Sequence, residues 1–229
     1  MINKTKQIFL VMNIILLLLA MTCLVYYDYQ GGLWLKGVTS SWFVMLGFVN
    51  LIYSRKMGCK NSHVPLLMVL AMFLGMVADV LLGIQFIVGT VVFALGHVVY
   101  SAAFCALKKF TCRDLYIIIP VGAVSLFIVL GTPYIQVEDP AMKLILVCYA
   151  VVISFMLGKS ISNLLVDRSP SGWLQAIGSS LFWFSDLMLA LALFGSGGKA
   201  ASFLCTYSYW PGQSLLAHSL FHFVNENCQ

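Results

Sequence analysis

Residues 64–107 read VPLLMVLAMFLGMVADVLLGIQFIVGTVVFALGHVVYSAAFCAL, and Asp79 is the only Asp, Glu, Lys or Arg among them. Gln85 and its neighbours mark a turn between two apolar halves. Each half is close to the roughly 20 residues that a helix needs to cross a bilayer core about 30 Å thick. The stretch therefore predicts a membrane-spanning helical hairpin, with helices over 64–84 and 86–107.

The rest of the chain has the same character. Of its 229 residues, 61% are hydrophobic and 9% are charged, and the mean hydropathy is +0.96. Soluble domains carry about 25% charged residues, so this composition indicates an integral membrane protein. Six further segments are near spanning length: 8–26, 33–53, 115–131, 141–158, 172–194 and 200–221. A transmembrane barrel would show shorter, alternating segments, so we predict one all-α domain over 1–229, a bundle of about eight transmembrane helices.

The positive charges predict how the bundle is oriented. Ten Lys and Arg residues fall on the side of the N-terminus and three on the other, consistently over every loop. The ten are Lys4, Lys6, Arg55, Lys56, Lys60, Lys108, Lys109, Arg113, Lys159 and Arg168. The positive-inside rule then places both termini in the cytoplasm of a bacterium or on the cytoplasmic side of the endoplasmic reticulum. No basic cluster suited to nucleic acid is present, so the net charge of +5 reflects membrane orientation.

Two acidic residues fall inside predicted spans. One is Asp79, and the other is Asp186 in SSLFWFSDLMLALALF, residues 179–194. Helical rise places them about 8 Å and about 12 Å below the non-cytoplasmic ends of their helices. Charged groups at such depth face a bundle interior or a water-filled cavity, and they mark functional sites. Since no Lys or Arg lies at a matching depth, we expect neither carboxylate to have a cationic partner.

Other polar residues occur at similar levels. His97 and Tyr100 are three residues apart on the fourth predicted helix, so their side chains share a face. Tyr209 and Gln213 are four apart on the eighth helix, and Ser185 precedes Asp186. The proline and glycine at 211–212 predict a bend whose freed backbone lines a cavity. For these side chains, site contacts and structural hydrogen bonds between helices both stay open.

Metal chemistry has little support in the sequence. His218 and His222 have the four-residue spacing of a zinc pair, but they lie far from the level of Asp186, and zinc needs a third protein ligand. His63 is the only other histidine predicted near that end. We therefore predict no metal and no cofactor. The seven cysteines include no CxxC pair, and we interpret them as small buried hydrophobic residues.

Four motifs occur in an order that resembles the YhhN family of membrane proteins, whose characterised members are lysoplasmalogenases. They are Asp79, GTVVFALGHVVYSAAF at 89–104, LFWFSDLMLA at 181–190 and TYSYWPGQSLL at 206–216. The resemblance runs from about the third predicted helix to the end, and the first two helices are generic. The family pattern has glycine before the first aspartate, where this chain has Ala78.

The resemblance implies hydrolysis of the vinyl ether of a lysoplasmalogen to a fatty aldehyde and glycerophosphoethanolamine or glycerophosphocholine. Protonation of the β-carbon gives an oxocarbenium ion, which water captures. Two carboxylates in a low-dielectric pocket share one proton and so supply an acid and a base. The aliphatic neighbours of Asp79 favour it as the acid, and Asp186 is then the base. His97 would position water or a carboxyl group, and Tyr100, Tyr209 and Gln213 would line the pocket and orient the polar end of the substrate.

Two other classes of function stay open. A proton-coupled transporter also uses intramembrane carboxylates and interrupted helices. A non-catalytic lipid-binding protein is the third possibility. An enzyme releases aldehyde, a transporter shows proton-dependent flux without product, and a binder shows lipid affinity without turnover. In each lipid-linked case the expected partners are a lysophospholipid and the surrounding membrane lipid. Head-group preference, chain length and oligomeric state do not follow from the sequence.

Overall fold

The chain folds as a bundle of helices. The computed structural model describes residues 2–59 and 63–228, and within them it contains eight α-helices and no strand. The helices are α1 Ile2–Gln30, α2 Leu33–Lys56, α3 His63–Ile84, α4 Phe86–Leu107, α5 Leu115–Leu126, α6 Pro140–Val166, α7 Pro170–Phe194 and α8 Gly198–Asn227. A 3₁₀ turn, Cys112–Asp114, precedes α5, and a π-helical segment, Phe127–Gly131, continues it. The predicted all-α class is confirmed.

Seven segments of the described chain are long and apolar enough to cross a membrane. They correspond to α1 to α4, the continuous Cys112–Gly131 segment, α6 and α7. The eighth helix has 30 residues but is more polar. It packs against α7, α2, α1 and α3, and Ser208, Gln213 and Ser214 on it are buried. Its polarity therefore belongs to a helix that faces protein rather than lipid, and the protein is a multi-pass membrane protein.

The hairpin of α3 and α4 has the predicted boundaries. The first helix ends at Ile84, Gln85 is extended, and the second helix begins at Phe86. Gly89 allows the two helices to approach closely, since a Cβ atom there would lie 2.5 Å from the backbone nitrogen of Leu82. This hairpin places Asp79 and His97 on neighbouring helices.

The sixth helix extends eight residues beyond its predicted end at residue 158. Lys159 and Asn163, expected in a cytoplasmic loop, are helical and buried. Lys159 Nζ lies 2.9 Å from Asp114 Oδ2, and Asn163 Nδ2 donates to the carbonyl oxygen of Phe104. The prediction was wrong because a polar run looks like a loop when its buried partners are distant in sequence. Lys60, another predicted cytoplasmic cation, lies outside the described residues.

The cysteines differ from the prediction. Cys59, just after α2, and Cys228, at the end of α8, form a disulfide. Of the five free cysteines, Cys112 and Cys148 are exposed, Cys23 and Cys105 are half-buried, and Cys205 is half-buried and lines a cavity inside the bundle. They were predicted to be buried because a soluble protein hides such side chains, whereas the outer surface of a membrane bundle faces lipid that is itself apolar.

Candidate functional site

Asp79 and Asp186 line the same cavity, which has a volume of about 150 Å³. It lies where the start of α2, the ends of α3 and α7 and the start of α8 meet. We call it the polar cavity. Its lining residues are Tyr27, Lys36, Asp79, Leu82, Phe93, Ser185, Asp186, Leu189, Ser202, Cys205, Thr206, Tyr209 and Trp210. Two carboxylates that are 107 positions apart in the sequence therefore face one space.

Asp79 is 2% exposed and has three donors around it. Ser40 Oγ donates to Oδ2 at 2.5 Å, and the Tyr209 hydroxyl donates to the same oxygen at 2.8 Å. Lys36 Nζ lies 3.5 Å from Oδ1. Donors and a cation on both oxygens favour the ionised carboxylate.

The cationic partner of Asp79 corrects the expectation that neither carboxylate would have one. The backbone of Lys36 lies in the first turn of α2, nearer the membrane surface than Asp79. Its long side chain reaches inward, and 23% of it stays exposed. Backbone depths alone did not predict this pair, because a lysine side chain places its charge several ångströms from its own backbone along the helix.

Asp186 has different partners. Its Oδ2 accepts a hydrogen bond from the Tyr149 hydroxyl at 2.6 Å and lies 3.2 Å from His97 Nε2. His97 Nε2 is also 2.8 Å from the Tyr149 oxygen, while Nδ1 faces the sulfur of Met156 at 3.3 Å. His97 is fully buried. Three groups in mutual contact can pass a proton among themselves.

The other oxygen of Asp186 is nearly unpartnered. The Ser185 hydroxyl lies 3.4 Å from Oδ1, but it donates to the carbonyl of Phe182 at 2.6 Å. No closer polar group contacts Oδ1 within residues 2–59 and 63–228. The same stretch of chain contains no hydrogen bond between Asp79 and Asp186, so the expected sharing of one proton is not seen as a direct contact.

The predicted pocket residues divide into two groups. Tyr209 contacts Asp79 and lines the polar cavity. Tyr100 donates instead to Gln213 Oε1 at 2.6 Å, and both residues are buried outside the cavity lining. This pair ties α4 to α8, which is the structural alternative that the sequence left open.

The proline at 211 also has a packing role. The eighth helix continues through Pro211, and the next residue, Gly212, packs against α7. A Cβ atom on Gly212 would lie 3.0 Å from the carbonyl oxygen of Gly178. The neighbouring Tyr209 and Trp210 line the polar cavity, but neither Pro211 nor Gly212 does. The backbone at 211–212 therefore makes a close contact with α7 instead of lining the polar cavity.

Tyr149, Ser40 and Trp210 were not identified from the sequence. Tyr149 lies in the apolar run ILVCYAVVIS of α6, where one hydroxyl gives no periodic signal. Ser40 donates to Asp79 and in turn accepts from the indole Nε1 of Trp210 at 3.2 Å. A search for polar side chains at the depth of the two aspartates would have found Tyr149 and Ser40.

A second cavity adjoins the polar cavity. We call it the apolar cavity, because all but five of its lining residues are hydrocarbon or phenylalanine side chains. It is lined by Leu82, Phe86, Thr90, Phe93, Ser125, Val129, Leu146, Tyr149, Ala150, Ile153, Trp183, Asp186, Leu187, Leu189, Ala190, Leu193 and Phe194. The two cavities share Leu82, Phe93, Asp186 and Leu189. Asp186 therefore lies at the junction of a polar and an apolar space.

His218 and His222, near the other end of the bundle, make contacts that are typical of structural residues. His218 Nδ1 lies 2.9 Å from Asn13 Oδ1, and Asn13 and Asn50 exchange hydrogen bonds between α1 and α2. The ring centroids of His218 and His222 are 5.2 Å apart. Among the described residues, no group of three His, Cys, Asp or Glu side chains is placed to hold a metal ion.

The fold and the site define a multi-pass helical membrane protein with one buried and one half-buried carboxylate at a cavity inside the bundle. The chain belongs to the YhhN family, whose sequence pattern matches residues 13–220. The match includes α2, which carries Lys36 and Ser40, so the first two helices are not the generic segments expected. Ala78, at the family's glycine position, is fully buried and fits the packing beside Asp79. No curated protein and no solved structure matches the chain.

Proposed function

We propose that the protein is an intramembrane hydrolase that cleaves the vinyl ether bond of lysoplasmalogens. The products are a fatty aldehyde and glycerophosphoethanolamine or glycerophosphocholine. Membership of the YhhN family supports the substrate class. The observation that carries the proposal is the position of Asp186, which lines both cavities while Asp79 lines the polar one.

The two cavities suit a single-chain lipid. The first carbons of its alkenyl chain would occupy the apolar cavity, whose volume is about 60 Å³, and its glycerol and head group would occupy the polar cavity. The vinyl ether is the bond where chain and glycerol meet, so it would lie beside Asp186. Phe86, Leu146 and Leu193 give the chain surroundings as apolar as the bilayer, whereas the head group needs the polar side chains of the other cavity.

The local contacts favour Asp186 as the acid and Asp79 as the base. Asp79 accepts from Ser40 and Tyr209 and faces Lys36, so it is stabilised as a carboxylate. The weakly partnered Oδ1 of Asp186 can carry a proton toward the substrate. This is the reverse of the assignment favoured by the aliphatic neighbours of Asp79, and it rests on the cation and the two donors that contact Asp79, which the neighbouring residues in the sequence do not reveal.

The reaction then balances in four proton transfers. Asp186 donates its proton to the β-carbon of the enol ether, and the α-carbon becomes an oxocarbenium carbon. A water molecule adds to that carbon and gives a proton to Asp79. The resulting hemiacetal gives its hydroxyl proton to the Asp186 carboxylate as the glycerol oxygen leaves with the proton held by Asp79, so both aspartates return to their starting states. One water is consumed, and one aldehyde and one alcohol are formed.

His97 and Tyr149 act on the acid rather than on the substrate. After donation, Asp186 is a carboxylate that the Tyr149 hydroxyl and His97 Nε2 can stabilise. His97 can also pass a proton back to Asp186 between turnovers. Positioned acid–base groups of this kind contribute about 10²–10⁴-fold to rate, which is the scale of the effect expected for the aspartate.

The direct test uses two lysophospholipids with the same head group and chain length. One carries a 1-alkenyl chain and the other a saturated 1-alkyl chain, which protonation cannot convert to an oxocarbenium ion. Purified protein in detergent should release aldehyde and glycerophospho-alcohol in equal amounts from the alkenyl lipid and neither product from the alkyl lipid. A monodisperse, thermally stable protein that binds the alkenyl lipid without turnover at any pH contradicts the proposal. Proton-dependent lipid flux in vesicles without product would establish a transporter instead.

A further inference from the structure

Lys36 is placed to do more than pair with Asp79. It is the only Lys or Arg among the described residues that line the polar cavity. Its side chain is 23% exposed, whereas that of Asp79 is 3% exposed. The ammonium group therefore contacts a buried carboxylate while part of the side chain stays open.

A contact with one carboxylate oxygen does not use all the hydrogen-bond donors of an ammonium group. Lysine carries three N–H donors, and the contact with Asp79 Oδ1 is the single ion pair of Lys36 within the described residues. The remaining donors are available to a group inside the cavity. An anion inside the cavity would be attracted by Lys36. It would lie on the side of the ammonium group that faces away from the Asp79 carboxylate.

Two hydroxyl groups extend this donor set. Ser202 and Thr206 lie one turn apart on α8, so they share a face, and both line the polar cavity. Neither hydroxyl makes a hydrogen bond within residues 2–59 and 63–228. A cation with two free hydroxyls is a donor set suited to the oxygens of a phosphate group.

The position of this donor set matches the proposed orientation of the lipid. With the vinyl ether beside Asp186, the glycerol extends into the polar cavity, and its phosphate follows a few bonds later. Lys36 lines that cavity, and Asp186 lies at its junction with the apolar cavity. A neutral lipid without phosphate would leave the ammonium without a second anionic partner.

We propose that the polar cavity is a phosphate subsite, in which Lys36 binds the phosphate of the lipid head group and Ser202 and Thr206 donate to its oxygens. This inference rests on the proposed function and deepens it. The subsite would make the enzyme selective for phosphate-bearing lysolipids over 1-alkenylglycerols of the same chain length. The cavity would therefore select lipids by their phosphate, and the ethanolamine or choline group would contribute less to selectivity.

The kinetic test compares a 1-alkenyl lysophospholipid with the matching 1-alkenylglycerol. For Lys36→Gln, we expect KM for the phospholipid to rise about tenfold or more, since a charge-assisted hydrogen bond contributes about 1.5–3 kcal/mol. KM for the alkenylglycerol should stay near the wild-type value, and Lys36→Arg should keep the preference for phosphate. Lys108→Gln, at the other end of the bundle, is the matched control. An equal loss of kcat on both substrates, with KM unchanged for both, would show that Lys36 acts only through Asp79, and the phosphate subsite would be wrong.

A binding test separates this inference from the proposed function. The 1-alkyl lysophospholipid and the 1-alkylglycerol cannot be hydrolysed by vinyl ether protonation, so their affinities do not require turnover. Wild type should bind the phospholipid more tightly, Lys36→Gln should lose that difference, and glycerol phosphate should compete with the phospholipid in wild type but not in Lys36→Gln. If wild type hydrolyses no lipid but shows this pattern, the subsite stands and the hydrolase proposal fails. Equal affinities in folded wild type overturn the subsite, and competition by glycerol phosphate without lipid selectivity would assign the site to free phosphate esters.

Discussion

Asp79 and Asp186 are the same type of residue with different partners. Asp79 is surrounded by a lysine and two hydroxyl donors, whereas Asp186 has a histidine and a tyrosine on one oxygen and a nearly free second oxygen. Environments that stabilise different protonation states are the usual basis for dividing acid and base roles between two carboxyl groups. The division of roles therefore follows from neighbours on α2, α4, α6 and α8.

Tyr149→Phe tests the support of Asp186. The variant removes the hydroxyl that donates to Oδ2 and contacts His97, while the ring keeps its packing. We expect kcat for aldehyde release to fall about tenfold, since a hydrogen bond to a charged group contributes about 1.5–3 kcal/mol. KM should change little, because the hydroxyl acts through Asp186.

Tyr53→Phe is the matched control for that variant. Tyr53 is also buried, and its hydroxyl donates to Asn225 at the other end of the bundle. Its removal should leave kcat close to wild type. Equal losses of kcat in the two variants would show that the effect of Tyr149 is general destabilisation.

Part of the site could be predicted from single residues. Asp79 and Asp186 stand out because a carboxylate in an apolar span is costly, and His97 and Tyr209 were found at similar depth. Tyr100 and Gln213 were placed beside the substrate, but they hydrogen-bond to each other. Lys36 was missed because sequence gives the position of its backbone and not the direction of its side chain.

At the scale of the elements, a buried ion pair holds the start of α5 against the last turns of α6. Lys159 Nζ lies 2.9 Å from Asp114 Oδ2, and the two side chains are 1% and 5% exposed. Asp114 also accepts hydrogen bonds from the Ser162 hydroxyl and the backbone N–H of Thr111. These contacts fix the start of α5 against the last turns of α6.

Lys159→Met should therefore destabilise the protein strongly. Removing one partner of a buried pair leaves an uncompensated charge and costs about 3–5 kcal/mol. The expected result is a clearly lower melting temperature in detergent. Lys108→Met removes the exposed pair with Asp167, whose side chain is 59% exposed, and should melt close to wild type. Similar melting of both variants with wild type would mean that the buried pair contributes little.

The elements themselves were largely predictable. Each predicted span lies within or nearly matches an observed helical segment, because lipid requires long apolar segments with paired backbones. The hairpin at Gln85 was placed correctly. The end of α6 was not, since the polar residues after 158 are satisfied by Asp114 and by the backbone of Phe104. Such partners come from tertiary structure and leave no local signal.

At the scale of the whole molecule, the two ends of the bundle differ. The polar cavity lies at the end where α2 and α8 begin, and the disulfide between Cys59 and Cys228 lies at the end where they finish. The predicted orientation places the disulfide on the cytoplasmic side, where most protein thiols are kept reduced. The orientation of the bundle stays a prediction.

Breaking the disulfide should lower stability without affecting the site. Cys59→Ser or Cys228→Ser frees the end of α8 from the segment after α2, and the expected cost is about 2–4 kcal/mol. Under oxidising conditions the variants should melt at a lower temperature than wild type. Under reducing conditions the variants and wild type should melt at the same temperature. Cys148→Ser, which removes an exposed free cysteine, is the control. Identical melting of wild type with and without reductant would contradict the prediction.

The most direct test of the account measures aldehyde release from a 1-alkenyl lysophospholipid by Asp79→Asn and Asp186→Asn. Asp167→Asn, a change of the same size at an exposed position far from the cavity, serves as the control. Both site variants should fold, elute as single species and lose about a hundredfold or more in kcat/KM, while the control keeps wild-type activity. A folded Asp186→Asn variant with wild-type turnover would contradict this prediction.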